Sequence, residues 1–333
     1  MLTTSRSTYI CSRWFASLTV RGTGQSGDFG ALVEQMRKVA DLPKPEMLPR
    51  AAELFTEMID RSANATPQDV VRLFTVCGKM KLLDSLLFDT ITNGLEFVSF
   101  DDMKKTITAC NRLKYSIKNG DCVNKAFAFH QAAIVESDMR TLVSCIQYIA
   151  RSPCVNAKSV YPILDGLSKK VNLMKADPEL LRNRAIISAD DAVKYILAIG
   201  KIQRSSTSLT LSATQKEDVK YLLTKILAYE LRNVSLQSLL KLFFSLTDIG
   251  VFDDFFVRRR LVPAIGSAYR ALPERSPRET FLVVTMVSQL PFSNPLTVEL
   301  TQSAIQHAQT MDAHDEFFET TRKVLETLSK LAK

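Results

Sequence analysis

Ser235-Leu-Gln-Ser-Leu-Leu-Lys-Leu-Phe-Phe-Ser-Leu-Thr-Asp-Ile249 is the clearest of six copies of one pattern. A hydroxyl residue opens it, and about four turns of amphipathic helix follow. The other openers are Thr66, Ser99, Ser137, Ser188 and Ser276. Eight residues after each opener, in chain order, stand Phe74, Ile107, Cys145, Ile196, Phe243 and Val284. Eleven after stand Cys77, Cys110, Tyr148, Ile199, Leu246 and Val287. Fourteen after stand Met80, Leu113, Arg151, Ile202, Ile249 and Leu290, apolar except for Arg151. A fixed apolar frame at helical spacing, counted from an N-cap, predicts six equivalent core helices.

The openers carry their own chemistry. Thr66 and Asp69, Ser99 and Asp102, Ser188 and Asp191, and Ser276 and Glu279 all read hydroxyl-x-x-acid. The hydroxyl can accept from an early backbone N–H while the acid reaches back to the cap. Asp is shorter than Glu, so three of the four boxes are expected to be imperfect. Pro67 and Pro277 take the first helical position, where a missing N–H costs nothing.

A second amphipathic stretch follows each core helix, at 82–95, 121–135, 157–174, 215–232, 252–272 and 295–311. Before the array, Asp28 can cap a helix to about Ala40, a turn spans 41–49, and a helix runs from Pro49 to Arg61. A last helix, His314–Ala332, closes the chain. Only 11 residues are Gly, and four lie between Gly22 and Gly30, so hairpin punctuation is lacking. The expected fold is all-α: a HEAT/armadillo-like α-solenoid of about seven antiparallel helix pairs in a right-handed superhelix. Residues 28–333 form its single repeat domain. Spacings between openers of 33, 38, 51, 47 and 41 residues place insertions at 176–187 and 204–213. The second is Ser/Thr-rich and reads as a polar loop with no core to join. Tyr115, Tyr161 and Tyr269 are expected at the surface.

Residues 1–27 differ from the rest. They hold Arg6, Arg13 and Arg21, many Ser and Thr, and no acid before Asp28. That is the composition of a mitochondrial transit peptide, with matrix localisation and a mature N-terminus between Ala16 and Asp28. The formal net charge is +8, of which those three arginines supply three, leaving +5. A mildly basic chain permits nucleic-acid contact without demanding it. The longest apolar run, 281–292, is broken by Thr285, Ser288 and Gln289 and is too short to span a bilayer.

Catalytic chemistry finds little footing. Cys11, Cys77, Cys110, Cys122, Cys145 and Cys154 form no CxxC pair, and three of them fall on the apolar columns. His307 and His314 lack a completing Cys or Glu, so no metal site is expected. No Gly-rich phosphate loop exists, and no cofactor is expected. Asp101–Asp102, Asp190–Asp191 and Asp253–Asp254 lie at helix starts, where macrodipole complementation accounts for them.

Basic residues do cluster. Lys79 and Lys81 flank the end of the first core helix, and Arg112 and Lys114 the second. Arg151 ends the third, and Lys201 and Arg204 end the fourth. Stacked repeats would bring these seven into one row able to follow a phosphate backbone. Complementation of helix C-termini accounts for the same residues without any ligand. Arg258-Arg259-Arg260 forms a separate knot behind Asp253 and Asp254.

The presequence and the Ser-x-x-Asp-apolar helical pairs together resemble the mitochondrial HEAT/armadillo-like and octotricopeptide-like repeat proteins, many of them from kinetoplastid protists. The resemblance covers 28–332. It implies a non-enzymatic scaffold or RNA-binding subunit of a mitochondrial RNA-processing complex, RNA editing foremost. The implied partners are protein subunits of that complex and mitochondrial single-stranded or guide RNA. The alternative is a structural or assembly subunit of a mitoribosome or of a respiratory or ATP synthase complex. The regular pentatricopeptide period is absent, so no one-base-per-repeat code is implied.

Overall fold

The computed structural model describes residues 28–331, except 94, 98, 178, 181–185, 206–208, 228–230, 232, 233 and 311–316. The transit-peptide reading of 1–27 and His314 lie outside the described residues. Among the described residues the chain is helical, with no strand, and no helix is long and apolar enough to cross a membrane. The chain parts into two compact units, 1–166 and 167–333.

In the first unit α1 (Phe29–Val39) packs on α2 (Lys44–Asp60), and α1 also packs on α3 (Pro67–Met80). Helix α2 meets α4 (Ser85–Ile91), and α3 lies along α5 (Phe100–Leu113). The second helix of the next pair is broken into α6 (Gly120–Phe129) and α7 (Gln131–Glu136) at His130. Then α5 packs on α8 (Met139–Ile149), and α9 (Tyr161–Ala176) carries the chain across the division. Core helices therefore stack on core helices, as a repeat requires.

The second unit repeats this. Helix α10 (Ala189–Ser205) is followed by α11 (Ala213–Tyr221), which runs on through a π-helical stretch, Leu222–Ile226. Then come α12 (Leu236–Asp248) and α13 (Val262–Arg270), the latter preceded by the π-helical Val257–Leu261. Last are α14 (Pro277–Ser288), α15 (Pro295–Gln309) and α16 (Phe318–Leu331). Helix α12 packs on α10 and on α14. Each π stretch widens the helix by one residue and keeps its apolar stripe inward: Leu222, Leu223, Ile226 and Leu227 are all buried, as are Val257, Leu261, Val262 and Ile265.

The apolar frame holds in space. All six residues at the eighth position are buried, from Phe74 at 0% exposed to Ile107 at 2%. Five of six at the eleventh are buried, and Val287 is half-buried. Closest approach recurs at one place in the frame. Gly78 of α3 faces Ala109 of α5, and Gly200 of α10 faces Ser245 of α12. In both pairs the twelfth position of one repeat meets the tenth of the next. The same stacking therefore recurs in both units.

The caps separate by acid length only in part. Ser276 and Glu279 close a full box, but so do Thr66 and Asp69, at 3.3 Å for both bonds. At Ser99 and Ser188 the hydroxyl donates to the aspartate at 2.8 and 2.7 Å, as the Thr66 hydroxyl does to Asp69 at 2.6 Å, while still accepting from the backbone.

Several expectations need correction. The third opener is Asp138, not Ser137: its carboxylate accepts from the Thr141 N–H at 2.7 Å, and Ser137 ends α7. Helix α2 begins at Lys44 and contains Pro49. Pro49 removes one N–H bond, but Met47, Ala51, Leu54, Phe55 and Met58 bury a continuous stripe that outweighs it. The stretch 204–213 does join the core, since Leu209 and Leu211 are buried and Ser212 caps α11 in a box with Gln215. Tyr161 is exposed, but Tyr115 and Tyr269 are buried. The Tyr115 ring packs on Phe74 and Phe88, and its hydroxyl donates to Asp89 at 2.8 Å. A buried phenol needs such a partner, and here a distant residue supplies it.

Candidate nucleic-acid interface

Helices α3 and α5 end in the same uncommon way. One residue past Met80 and Leu113 the backbone turns left-handed, at Lys81 (φ 58°, ψ 34°) and Lys114 (φ 56°, ψ 31°). The N–H of each lysine bonds the carbonyl of Cys77 or Cys110, and the next residue's N–H reaches the same carbonyl at 3.2 and 3.0 Å. This closes the orphan carbonyls of the last turn. Both lysines stand fifteen residues after their openers. Fifteen after Ser235 is Gly250, with φ 62°. Among the described residues these three are the positive-φ positions, and all share one place in the frame.

Gly250 shows what that backbone prefers. Glycine adopts the left-handed region freely, whereas a side chain there costs on the order of 1 kcal/mol. Two repeats nevertheless carry lysine. Both side chains are exposed and neither forms an ion pair among the described residues. The Gly78–Ala109 contact lies three residues before Lys81 and five before Lys114. It sets the ends of α3 and α5 side by side, and with them Lys79 and Arg112, also exposed and without an ion pair among the described residues.

The other expected cations behave differently. Arg151 is half-buried and committed to structure. Its guanidinium donates to the Asn111 carbonyl at 3.0 Å, to the Asn111 side-chain oxygen, and to the Gln147 carbonyl at 3.2 Å. Burial lowers its pKa. It clips α8 to α5 and is not a free phosphate ligand. In the second unit Arg204 pairs with Asp248, Nε to Oδ2 at 3.0 Å, joining the ends of α10 and α12. Lys201 is exposed and forms no ion pair among the described residues. The seven thus resolve into four available cations at one end of α3 and α5, one in the second unit, and two engaged.

Lys104, Lys105 and Arg140 stand earlier on α5 and α8, away from the helix ends where cations are expected. Lys104, Thr108 and Arg112 recur every four residues along α5, a polar stripe opposite the apolar one and legible in principle. Lys105 and Lys104 both bond Asp101, at 2.6 and 3.2 Å, and those bonds hold its carboxyl below the usual range.

Other chemistry is quiet. Burial pushes the Cys77 and Cys110 thiols far up and Cys145 up to about 12, so none is a ready thiolate. No group of His, Cys, Asp and Glu among the described residues could hold a metal ion. His307 Nδ1 lies 2.7 Å from the Thr280 hydroxyl, which lies 3.0 Å from that of Tyr269. This chain knits α13, α14 and α15 together; burial lowers the His307 pKa and favours the neutral ring. Asp218, 1% exposed, accepts from Ser168 at 2.6 Å and pairs with Lys175 at 3.2 Å. Both are packing clasps between helices.

No protein-family model matches the chain, and no curated protein matches it in sequence.

Proposed function

We propose that the chain is a non-catalytic, RNA-contacting scaffold of a mitochondrial RNA-processing complex, with RNA editing the first candidate. The observation that carries the RNA half is the lysine pair at the left-handed helix ends. A backbone position that favours glycine holds an exposed cation in two successive repeats, and strain retained at a surface points to use. Lys79, Lys81, Arg112 and Lys114 together offer four positive charges to a phosphate backbone. The scaffold half draws on the stacked repeats and on exposed aromatics such as Phe129, 79% exposed. The mitochondrial half rests on the composition of residues 1–27. N-terminal sequencing of the protein from isolated mitochondria should find a start between Ala16 and Asp28; an intact Met1 would refute the address.

The left-handed positions supply a clean test, because glycine removes the charge and relieves the backbone. The double variant Lys81→Gly/Lys114→Gly should melt no lower than the wild type. In filter binding to single-stranded RNA its slope of log affinity against log salt should fall by about 1.4, or about 0.7 for each phosphate released. Affinity should drop alike for all sequences, since phosphate contacts carry no base information. An unchanged slope would return these lysines to helix-end complementation. Partners retained after RNase treatment would then favour direct protein scaffolding over RNA tethering; the alternative reading is an assembly subunit of a mitoribosome or a respiratory or ATP synthase complex.

A further inference from the structure

A groove of about 300 Å³ crosses α3, α5 and α8 in the first unit. Its walls carry Lys104, Lys105 and Arg112 from α5 and Arg140 from α8, against one carboxylate, Asp138. Arg112 and Arg140 are exposed and form no ion pair among the described residues. Lys104 and Lys105 share Asp101 in exposed pairs, which water and salt keep weak and which an incoming anion can exchange. Thr108 and Ser144 add hydroxyls to the lining that form no hydrogen bond among the described residues, whereas Thr75 already donates to the Val71 carbonyl at 2.9 Å. The floor is fixed: the Asn111 side-chain amide donates to the Ser144 carbonyl at 2.7 Å and holds α5 to α8.

The lining selects among ligands. It contains no aromatic side chain, so bases have no platform to stack on. Guanidinium forks, ammonium groups and free hydroxyls together suit phosphate oxygens. Arg112 stands two residues before Lys114, so the groove opens at the end of α5 that carries the left-handed lysine.

We propose that this groove is a phosphate subsite that takes the backbone of single-stranded RNA, continuing the path that begins at Lys81 and Lys114; it rests on the RNA-contacting reading above. The strand would be held by its phosphates and read without regard to sequence.

Lys104→Gln/Arg140→Gln tests this without touching the left-handed lysines. Both side chains are at the surface, so thermal melts of the variant should match the wild type. Against oligouridylate and oligoadenylate of equal length, the variant should bind each at least about tenfold more weakly. Its salt slope should be lower by about 1.4. Wild-type affinity for both oligomers would overturn the groove while leaving the RNA reading standing. Loss for one oligomer only would overturn phosphate-only contact. Tripolyphosphate, titrated alone by calorimetry, separates a small-anion site. If it binds the wild type and not the variant while RNA affinity is unchanged, the strand assignment falls. Absence of RNA binding by the wild type would overturn the RNA reading and this subsite together.

Discussion

Phe243→Ala should destabilise the protein by about 3–5 kcal/mol, the range for truncating a buried phenylalanine. Phe243 is 1% exposed and stands on α12, which packs on α10, α13 and α14. Deleting the ring loses its transfer free energy and leaves a cavity that three neighbouring helices cannot all close. Its neighbour Phe244, 5.5 Å away between ring centroids, is only half-buried and supplies the control. Phe244→Ala should cost clearly less. Denaturant titrations of the two variants decide it. A Phe243→Ala midpoint equal to the wild type's would mean that the eighth frame position is not the core.

Gly200→Ala should also destabilise, by about 2 kcal/mol, although the same change in an exposed helix would stabilise by about 1 kcal/mol. A Cβ at Gly200 would lie 2.7 Å from the Ser245 Cα, closer than real contacts allow. The Ser245 Cβ and Oγ lie nearer still, with the backbone directly behind them, so α10 and α12 must move apart along their length. Overpacking of this kind costs about 1–3 kcal/mol, and about 2 kcal/mol is expected here because neither a Cβ nor a Cα can rotate away. Ser245→Gly in the same molecule removes the Cβ and Oγ and should recover part of the loss. Thermal melts of the single and double variants measure the coupling. A stabilised Gly200→Ala would show that the two helices do not approach as described.

The sign reversal at Gly200 marks where sequence reasoning stops. From the sequence, Gly200 is one more helix-interior glycine. Only its contact with Ser245, forty-five residues on, explains it. Tyr115 and Tyr269 make the same point. Each falls off the apolar columns, and each is buried because a distant acid or hydroxyl satisfies its phenol. Leu209 and Leu211 look stranded among Ser and Thr, yet both find the core.

The sequence by itself determined the six core helices, the starts of five of them and their inward faces, though it placed the start of α2 five residues late. Those are local properties: a hydroxyl or carboxylate that accepts from an N–H three residues on, and apolar side chains recurring with the helical turn. Even the shift from Ser137 to Asp138 moves the cap by a single residue. It also identified the cations that close α3 and α5. Tertiary structure alone decided which cations remain available. Arg151 and Arg204 lie at the ends of their core helices as Lys81 and Lys114 do, but Asn111, forty residues back, and Asp248, forty-four residues on, engage them. Only the structure showed the left-handed backbone under Lys81 and Lys114, because lysine gives no local signal for positive φ. It alone brought Arg140 opposite Lys104 and Arg112 across one groove. Periodicity can orient a side chain on its own helix. Whether that side chain meets a partner, a neighbouring backbone or open solvent depends on contacts between residues far apart in the chain.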